Sequence, residues 1–180
     1  MMQHKKHVKE VLRRLHKNGL YVAAPKCEFH KESVEYLGFI ISIDSLRMAQ
    51  DKVQIILDWP EPRRVKDVQS FLRFCNFYQR FIFGYSDIVI PLIHLTRKNF
   101  PWKFNKKCCM AFDQLKEEFT CTPILTKWLP DSKMIVETDA SDYPLAAIIS
   151  SWTPDSKIHP IAFHSHSFNS AELNYDTHDK

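Results

Sequence analysis

Several features that would assign the chain to a particular class are missing from its sequence. No stretch reaches the roughly 18 consecutive apolar residues that a membrane-spanning helix needs, so we expect no membrane partner. The first ten residues are polar and basic and lack an apolar core, so we expect no secretory signal. The five cysteines include no Cys-x-x-Cys pair, which favours reduced thiols in an intracellular protein, cytoplasmic or nuclear, over a disulfide framework.

Metal-ligand patterns are also incomplete. Cys27 with His30, and His164 with His166, have the spacing of zinc ligands. A structural zinc site needs four ligands, and neither pair has two further partners at a suitable spacing. We therefore expect no zinc.

The composition that is present suits a folded protein with an uneven charge. Hydrophobic residues make up 44% and aromatic residues 13% of the 180 residues, which argues against wholesale disorder. Residues 1–31 carry eight Lys/Arg and two acids, residues 97–107 five bases and no acid, and residues 113–142 seven acids and three bases. This distribution fits either a path for a polyanion or an ordinary solvated surface, and charge alone does not decide between them.

The periodicity of apolar residues predicts helices in the first two thirds of the chain. A first helix carries Val8, Val11, Leu12 and Leu15 on one face and stops at Asn18-Gly19. Extended runs around 27–30 and 34–41 predict a β-hairpin in which Gly38, inside a strand, marks a bulge or a close backbone approach. Further helices are predicted over 51–57, 65–83, 87–96 and 105–119, the last with Asn105 as its N-cap.

After Pro123 the period changes to that of strands. Runs at 134–139, 145–151 and 158–168 predict strands, and Ser170 with Glu172 and Leu173 predicts the start of a helix. Helices first and strands afterwards predict an α+β protein of two units, with a boundary near 120–133. Pro144 removes an amide donor near a central strand.

Ten short motifs occur in an order that resembles one family. They are His7-Val8 with Val11-Leu12 and Leu15, Lys26-Cys27 with Phe29, Tyr36-Leu37-Gly38-Phe39, Phe71-Leu72 with Asn76-Phe77-Tyr78 and Arg80-Phe81-Ile82, Pro91-Leu92 with Leu95-Thr96, Phe100 with Trp102, Ala111-Phe112 with Leu115-Lys116, Glu137-Thr138-Asp139-Ala140-Ser141-Asp142, His159-Pro160-Ile161-Ala162, and Ala171-Glu172 with Asn174-Tyr175. This order resembles the Pol polyprotein of gypsy-type LTR retrotransposons and their retroviral relatives, where reverse transcriptase runs into ribonuclease H.

The resemblance implies a domain for each segment. Residues 1–50 are expected to form the end of the reverse transcriptase palm, with the primer-grip hairpin at 27–42. Residues 51–122 are expected to form the helical thumb, 123–133 a linker, and 134–180 the first strands of a truncated RNase H-like mixed sheet. The implied nucleic-acid-binding residues are Tyr36, Leu37 and Gly38 on the hairpin and Gln69, Arg73, Asn76 and Arg80 on one polar helix face. Arg73 stands where the family usually has glycine, so it either adds a phosphate contact or disturbs packing.

The resemblance also implies the catalytic chemistry of the parent enzyme and its cofactor Mg²⁺. Asp139 matches the first metal-binding carboxylate of ribonuclease H, whereas the Tyr-x-Asp-Asp motif of the polymerase does not occur in this sequence. The remaining ribonuclease H carboxylates are expected at or beyond Lys180. Because one carboxylate does not hold two Mg²⁺ ions, we expect this chain to bind no metal and to be non-catalytic.

The sequence leaves three interpretations of the function of this chain open. The chain could bind an RNA–DNA hybrid or a DNA duplex weakly and without sequence preference, next to the remainder of the Pol polyprotein if that is present. It could instead be a domesticated or decayed transposon remnant that acts as a non-enzymatic interaction protein. A third reading is a product that does not fold stably, because an open sheet edge favours aggregation.

Overall fold

The computed structural model describes residues 2–121, 123–140, 144–153, 156–169 and 171–174. The chain divides into two compact units, residues 1–32 and residues 33–180. Among the described residues, no helix combines the length and the apolar character that crossing a membrane would require.

The unit of residues 1–32 contains one long helix. Helix α1 spans Met2–Lys17, as predicted. It stops at Gly19 (φ +70°), where the amide of Leu20 donates to the carbonyl of Leu15 at 3.0 Å, a Schellman-type end that favours glycine. The strand predicted around 27–30 is wrong, because a 3₁₀ turn at Ala24–Lys26 precedes it and no ladder forms there. Val11 and Leu12 of the predicted apolar face are exposed.

The second unit begins with a four-stranded antiparallel sheet in the order β1-β2-β3-β4. The strands are β1 (Ser33–Tyr36), β2 (Phe39–Ser42), β3 (Ser45–Met48) and β4 (Leu125–Thr126). The predicted hairpin is therefore confirmed, but its strands lie at 33–42 rather than at 27–42. Strand β4 lies within the segment expected to be a linker and pairs Leu125 with Leu46.

Four helices follow the sheet and enclose the main core. They are α2 (Gln50–Leu57), α3 (Val65–Phe77), α4 (Tyr85–Leu95) and α5 (Lys106–Thr120). The predicted helix over 65–83 is too long, because α3 ends at Phe77 and a separate 3₁₀ turn spans Gln79–Phe81. Asn105 caps α5 as predicted, since its side chain accepts from the amide of Cys108 at 3.1 Å.

The core consists mainly of aromatic and aliphatic side chains from these helices, with further members from β3, from β4 and from the 3₁₀ turn and the residue after it. Its largest fully buried members are Phe71, Phe81, Phe119, Ile56, Ile82, Leu92, Leu95, Leu115 and Leu125. Lys116 fastens the end of α2 to α5, because its ammonium group donates to the carbonyls of Leu57 at 2.9 Å and Trp59 at 2.5 Å. Trp59 in turn packs on the ring of Phe71, with 5.6 Å between the ring centroids.

A second antiparallel sheet has the order β5-β6-β7. Its strands are β5 (Met134–Ala140), β6 (Pro144–Trp152) and β7 (Ile158–Ser167), within one or two residues of the prediction. Pro144 is the first residue of the central strand, a position that tolerates proline. The predicted terminal helix is described only as a 3₁₀ turn at Glu172–Asn174, and Ser170 lies outside the described residues. The α+β prediction is confirmed.

Candidate nucleic-acid interface

The hairpin between β1 and β2 closes with a two-residue turn, Leu37-Gly38. Both turn residues have positive φ, +52° at Leu37 and +77° at Gly38, as a type I′ turn requires. Gly38 is therefore a turn residue, and the prediction that it lies inside a strand is wrong. The side chains of Tyr36 and Leu37 are 61% and 62% exposed. The turn thus presents an aromatic and an aliphatic side chain to solvent.

Gly38 lies against the helices, so of the two predicted alternatives, a bulge or a close backbone approach, the structure has the close approach. Its carbonyl accepts a hydrogen bond from the amide of Ala49 at 2.9 Å. A Cβ atom at this position would overlap the hydroxyl of Tyr78 and press on the side chain of Lys52. Only glycine fits this turn without displacing its neighbours.

Phe39, directly after the turn, connects the hairpin to the end of α3. Its ring lies 5.3 Å from the ring of Phe77, 5.3 Å from that of Tyr78 and 5.9 Å from that of Phe81, measured between centroids. These contacts hold the hairpin turn at the C-terminal end of α3. The sequence indicated Phe39 only as a motif member and Tyr78 as part of the apolar stripe of the predicted helix, because periodicity within one element does not reveal a contact between two elements.

The polar face predicted on the long helix is only partly retained. Gln69, Arg73 and Asn76 are exposed on α3 at i, i+4 and i+7, on one helix face. Arg80 is also exposed but lies on the 3₁₀ turn after α3, so it does not continue that face. Because Arg73 is exposed, it does not disturb helix packing, which was one of its two predicted effects.

The two arginines of this region are available to an external anion. Within the described part of the chain, the ion pairs involve neither Arg73 nor Arg80. By contrast, Arg64 at the start of α3 is paired with Asp67 at 2.9 Å, and this contact holds the pKa of the Asp67 carboxyl below its usual value. Arg73 and Arg80 are therefore suited to phosphate contacts that carry no sequence information.

Asp139 lies near the end of β5, where it pairs with Ala146 of β6 and is exposed. Glu137, two residues earlier, lies on the same side of the strand and is exposed as well. Among the described residues there is no group of three or more His, Cys, Asp or Glu side chains that could hold a metal ion. Ser141 and Asp142 of the same motif lie outside the described residues. The carboxylates described do not fit a site for two Mg²⁺ ions, which takes several oxygen ligands per ion.

Strand β7 attaches the second sheet to the helices, through contacts that the sequence did not indicate. The hydroxyl of Ser165 accepts a buried hydrogen bond from the amide of Ser86, at the start of α4, at 2.9 Å. The rings of Phe163 and Phe83 meet edge to face with 6.1 Å between centroids. Sheet β5-β6-β7 is thus packed directly on the helical region.

Known proteins are similar to this chain in sequence and in fold. A family model described as an RNase H-like domain found in reverse transcriptase matches residues 104–180. The Transposon Tf2-3 and Tf2-4 polyproteins of Schizosaccharomyces pombe are each 33% identical over 178 residues, which cover 99% of this chain and 13% of each polyprotein. The chain therefore spans about an eighth of the length of these relatives.

Solved structures with a similar fold were also found. The foamy viral protease–reverse transcriptase in complex with an RNA/DNA hybrid has a TM-score of 0.74 and 24% identity, covering 98% of this chain and 24% of that one. The same viral protein in complex with double-stranded DNA has a TM-score of 0.73 and 24% identity, covering 97% of this chain and 36% of that one.

These comparisons agree with the motif order, the α+β fold and the strand–helix arrangement described above. The resemblance inferred from the ten motifs is confirmed. The exact domain boundaries stay a prediction, and the family match begins at residue 104, immediately before α5. The chain is homologous to the region of gypsy-like retrotransposon polyproteins in which the end of reverse transcriptase runs into an RNase H-like domain.

Proposed function

We propose that the chain binds the duplex of a template and a primer, either an RNA–DNA hybrid or double-stranded DNA, without reading its sequence. The observation that carries the proposal is the packing of Phe39 on Phe77 and Phe81. This packing brings the exposed hairpin turn next to the C-terminal end of α3. Exposed polar side chains lie on that helix and on the 3₁₀ turn after it, namely Gln69, Arg73, Asn76 and Arg80. Proteins of the same fold are bound to an RNA/DNA hybrid and to double-stranded DNA in their solved structures, which supports the choice of partner.

The two parts of this surface have different tasks in the proposal. Arg73 and Arg80 contact phosphates, whereas Tyr36 and Leu37 contact the sugar and base edges of one strand at the shallow groove. Gln69 and Asn76 donate hydrogen bonds to backbone oxygens, and Gly38 holds the turn against α2 and α3. Phosphate contacts dominate such binding, so affinity depends steeply on salt and little on sequence.

The test is binding of the full chain to a labelled hybrid of about 20 base pairs, a length close to two helical turns of duplex. Reversing both charges, R73E with R80E, is expected to abolish binding at low salt. The control reverses K127E and K133E, two exposed lysines whose replacement changes the net charge equally. The wild-type affinity is expected to fall with rising salt. In a plot of the logarithm of the association constant against the logarithm of the salt concentration, each contacted phosphate contributes about −0.9 to the slope on B-form DNA. Absence of binding by the wild type at low salt, or equal loss in both double variants, would contradict the proposal.

We further propose that this chain is non-catalytic. The sequence contains no Tyr-x-Asp-Asp motif, and the described carboxylates at the RNase H position do not form a set that suits two Mg²⁺ ions. Incubation of a labelled hybrid with Mg²⁺ is expected to leave its RNA strand intact for both the wild type and D139N. Cleavage by the wild type that D139N loses would overturn this conclusion and make Asp139 a metal ligand.

A second candidate function is interaction with another protein. A groove of about 650 Å³ lies between the β2–β3 turn, β4 and the end of β6. Its lining includes the exposed apolar side chains of Ile43, Ile124, Leu129 and Trp152, and clustered exposed apolar residues are typical of interaction surfaces. A chain that unfolds cooperatively but binds no duplex at low salt would favour this function over the first.

A further inference from the structure

Residues 97–107, which comprise the connection between α4 and α5 and the first two residues of α5, form a strongly basic segment of the second unit. It carries Arg97, Lys98, Lys103, Lys106 and Lys107 and contains no acid. All five cations are exposed. Within the described residues none of them takes part in an ion pair. Their charge is therefore directed at solvent rather than at carboxylates of the same chain.

The start of α5 adds to this positive potential. Lys106 and Lys107 occupy the first turn of the helix, which contains no acidic residue. The partial positive charge of a helix lies at its N-terminus, where acids are stabilising and lysines unfavourable. This arrangement opposes local stability, and an external anion at the segment would offset the repulsion.

Aromatic side chains alternate with these cations. Phe100 is 48% and Trp102 is 37% exposed. The ring of Trp102 stacks on that of Phe104 at 6.1 Å with 20° between the planes, and Phe104 packs on the core residue Phe112 at 6.4 Å. Trp102 is thus a partly exposed ring that is held in position by Phe104, which itself packs against the core.

We propose that residues 97–107 form a binding surface for single-stranded nucleic acid. The five cations attract the phosphates of the strand, and Trp102 and Phe100 stack on its bases. Cations that follow the backbone next to aromatic rings are the combination by which proteins bind single strands without sequence preference. Apolar protein partners do not account for the five unpaired charges, and a bare polyanion does not account for the exposed rings.

This surface differs in sequence, and in the kind of partner, from the hairpin turn and α3. Its test therefore uses a single strand, and its outcome is independent of the duplex measurement with R73E and R80E. A fluorescein-labelled oligodeoxythymidine of about 15 nucleotides matches the site size of a single-strand-binding module. A matching oligouridine tests whether RNA is bound in the same way.

The charge contribution is measured with two double variants of equal net charge. K106Q with K107Q removes two cations of the surface, whereas K127Q with K133Q removes two exposed lysines elsewhere. The first pair is expected to weaken binding at least ten-fold at low salt and to reduce the salt slope by about 1.4, because each phosphate of a single strand that a cation neutralises contributes about 0.7 to the slope. Equal weakening by both pairs would show a general charge effect and overturn the proposal.

The stacking contribution is measured through tryptophan fluorescence. Oligodeoxythymidine is expected to quench the emission of the wild type, and W102F, which keeps an aromatic ring, is expected to lose most of this response while weakening binding less than five-fold. W102L, which keeps an apolar side chain without a ring, is expected to weaken binding about five-fold or more. Heparin, a polyanion without bases, serves as the comparison. Quenching that persists in W102F, or that heparin reproduces, would exclude stacking on Trp102.

Discussion

Replacement of Gly38 by alanine tests the close contact on which the candidate interface depends. The backbone at Gly38 has φ +77°, and a left-handed conformation costs an L-residue about 1–2 kcal/mol. In addition, the new Cβ would overlap the hydroxyl of Tyr78. Displacing a packed side chain costs about 1–3 kcal/mol. We therefore expect G38A to lower the free energy of unfolding by about 2–5 kcal/mol.

Gly84 supplies a matched control in the same unit. Its φ is +62°, but no atom lies within 4 Å of the position that a Cβ would occupy. G84A therefore carries the backbone cost of about 1–2 kcal/mol without the steric one. The difference between the two variants, measured by urea denaturation and circular dichroism, isolates the contact between the hairpin turn and Tyr78.

A double variant identifies the clashing atom. Y78F removes the hydroxyl, so G38A with Y78F is expected to recover about 1–2 kcal/mol of the loss caused by G38A, a coupling of the size found for residues in contact. The backbone cost remains in the double variant. Equal losses for G38A and G84A, or no coupling between positions 38 and 78, would show that the turn is not seated on Tyr78 as described.

Three further predictions concern stability. Y85F is expected to leave stability unchanged or to raise it by about 1 kcal/mol in calorimetry, because the Tyr85 hydroxyl is buried and has no hydrogen-bond partner in the described residues. A loss of stability of more than about 1 kcal/mol in Y85F would instead show that the hydroxyl has a partner. S165A is expected to cost about 1–3 kcal/mol, because the buried amide of Ser86 loses its acceptor, and the exposed S167A serves as its control in urea denaturation. Hydrogen bonds from Arg13 and Arg14 lower the pKa of Glu10 from 4.5 to about 2. The stabilisation of α1 by the ionised Glu10 is therefore complete above pH 4.5 and is lost as the pH falls towards 2. Helicity by circular dichroism is expected to decline over that range, and E10Q is expected to flatten the decline.

Local signals in the sequence were sufficient for most of the helices and strands. Gly19 ends α1 and Asn105 begins α5 because a left-handed glycine and a capping amide act through neighbouring backbone groups. The alternation of apolar residues predicted β5, β6 and β7 to within one or two residues. Each of these features depends on interactions within one element or its ends.

The errors occurred where contacts between elements decide the local structure. The apolar stripe of α3 continues to Ile82, which predicted an unbroken helix. Instead the helix ends at Phe77, and Tyr78 and Phe81 turn towards Phe39 of the hairpin. Arg80 consequently leaves the face shared by the other polar residues. Periodicity describes one helix in isolation and contains no information on a hairpin that packs across its end.

The contacts of sheet β5-β6-β7 indicate how this sheet is stabilised. Phe163 of β7 packs against the helical core, and Ser165 accepts a buried hydrogen bond from α4, so one part of the sheet is covered by the preceding region. Among the described strands β5 has a single neighbour, and its Met134 and Val136 are exposed. An uncovered strand of this kind is a site for pairing with another chain. The helical region therefore stabilises the sheet through β7, whereas aggregation, if it occurs, is expected to begin at β5.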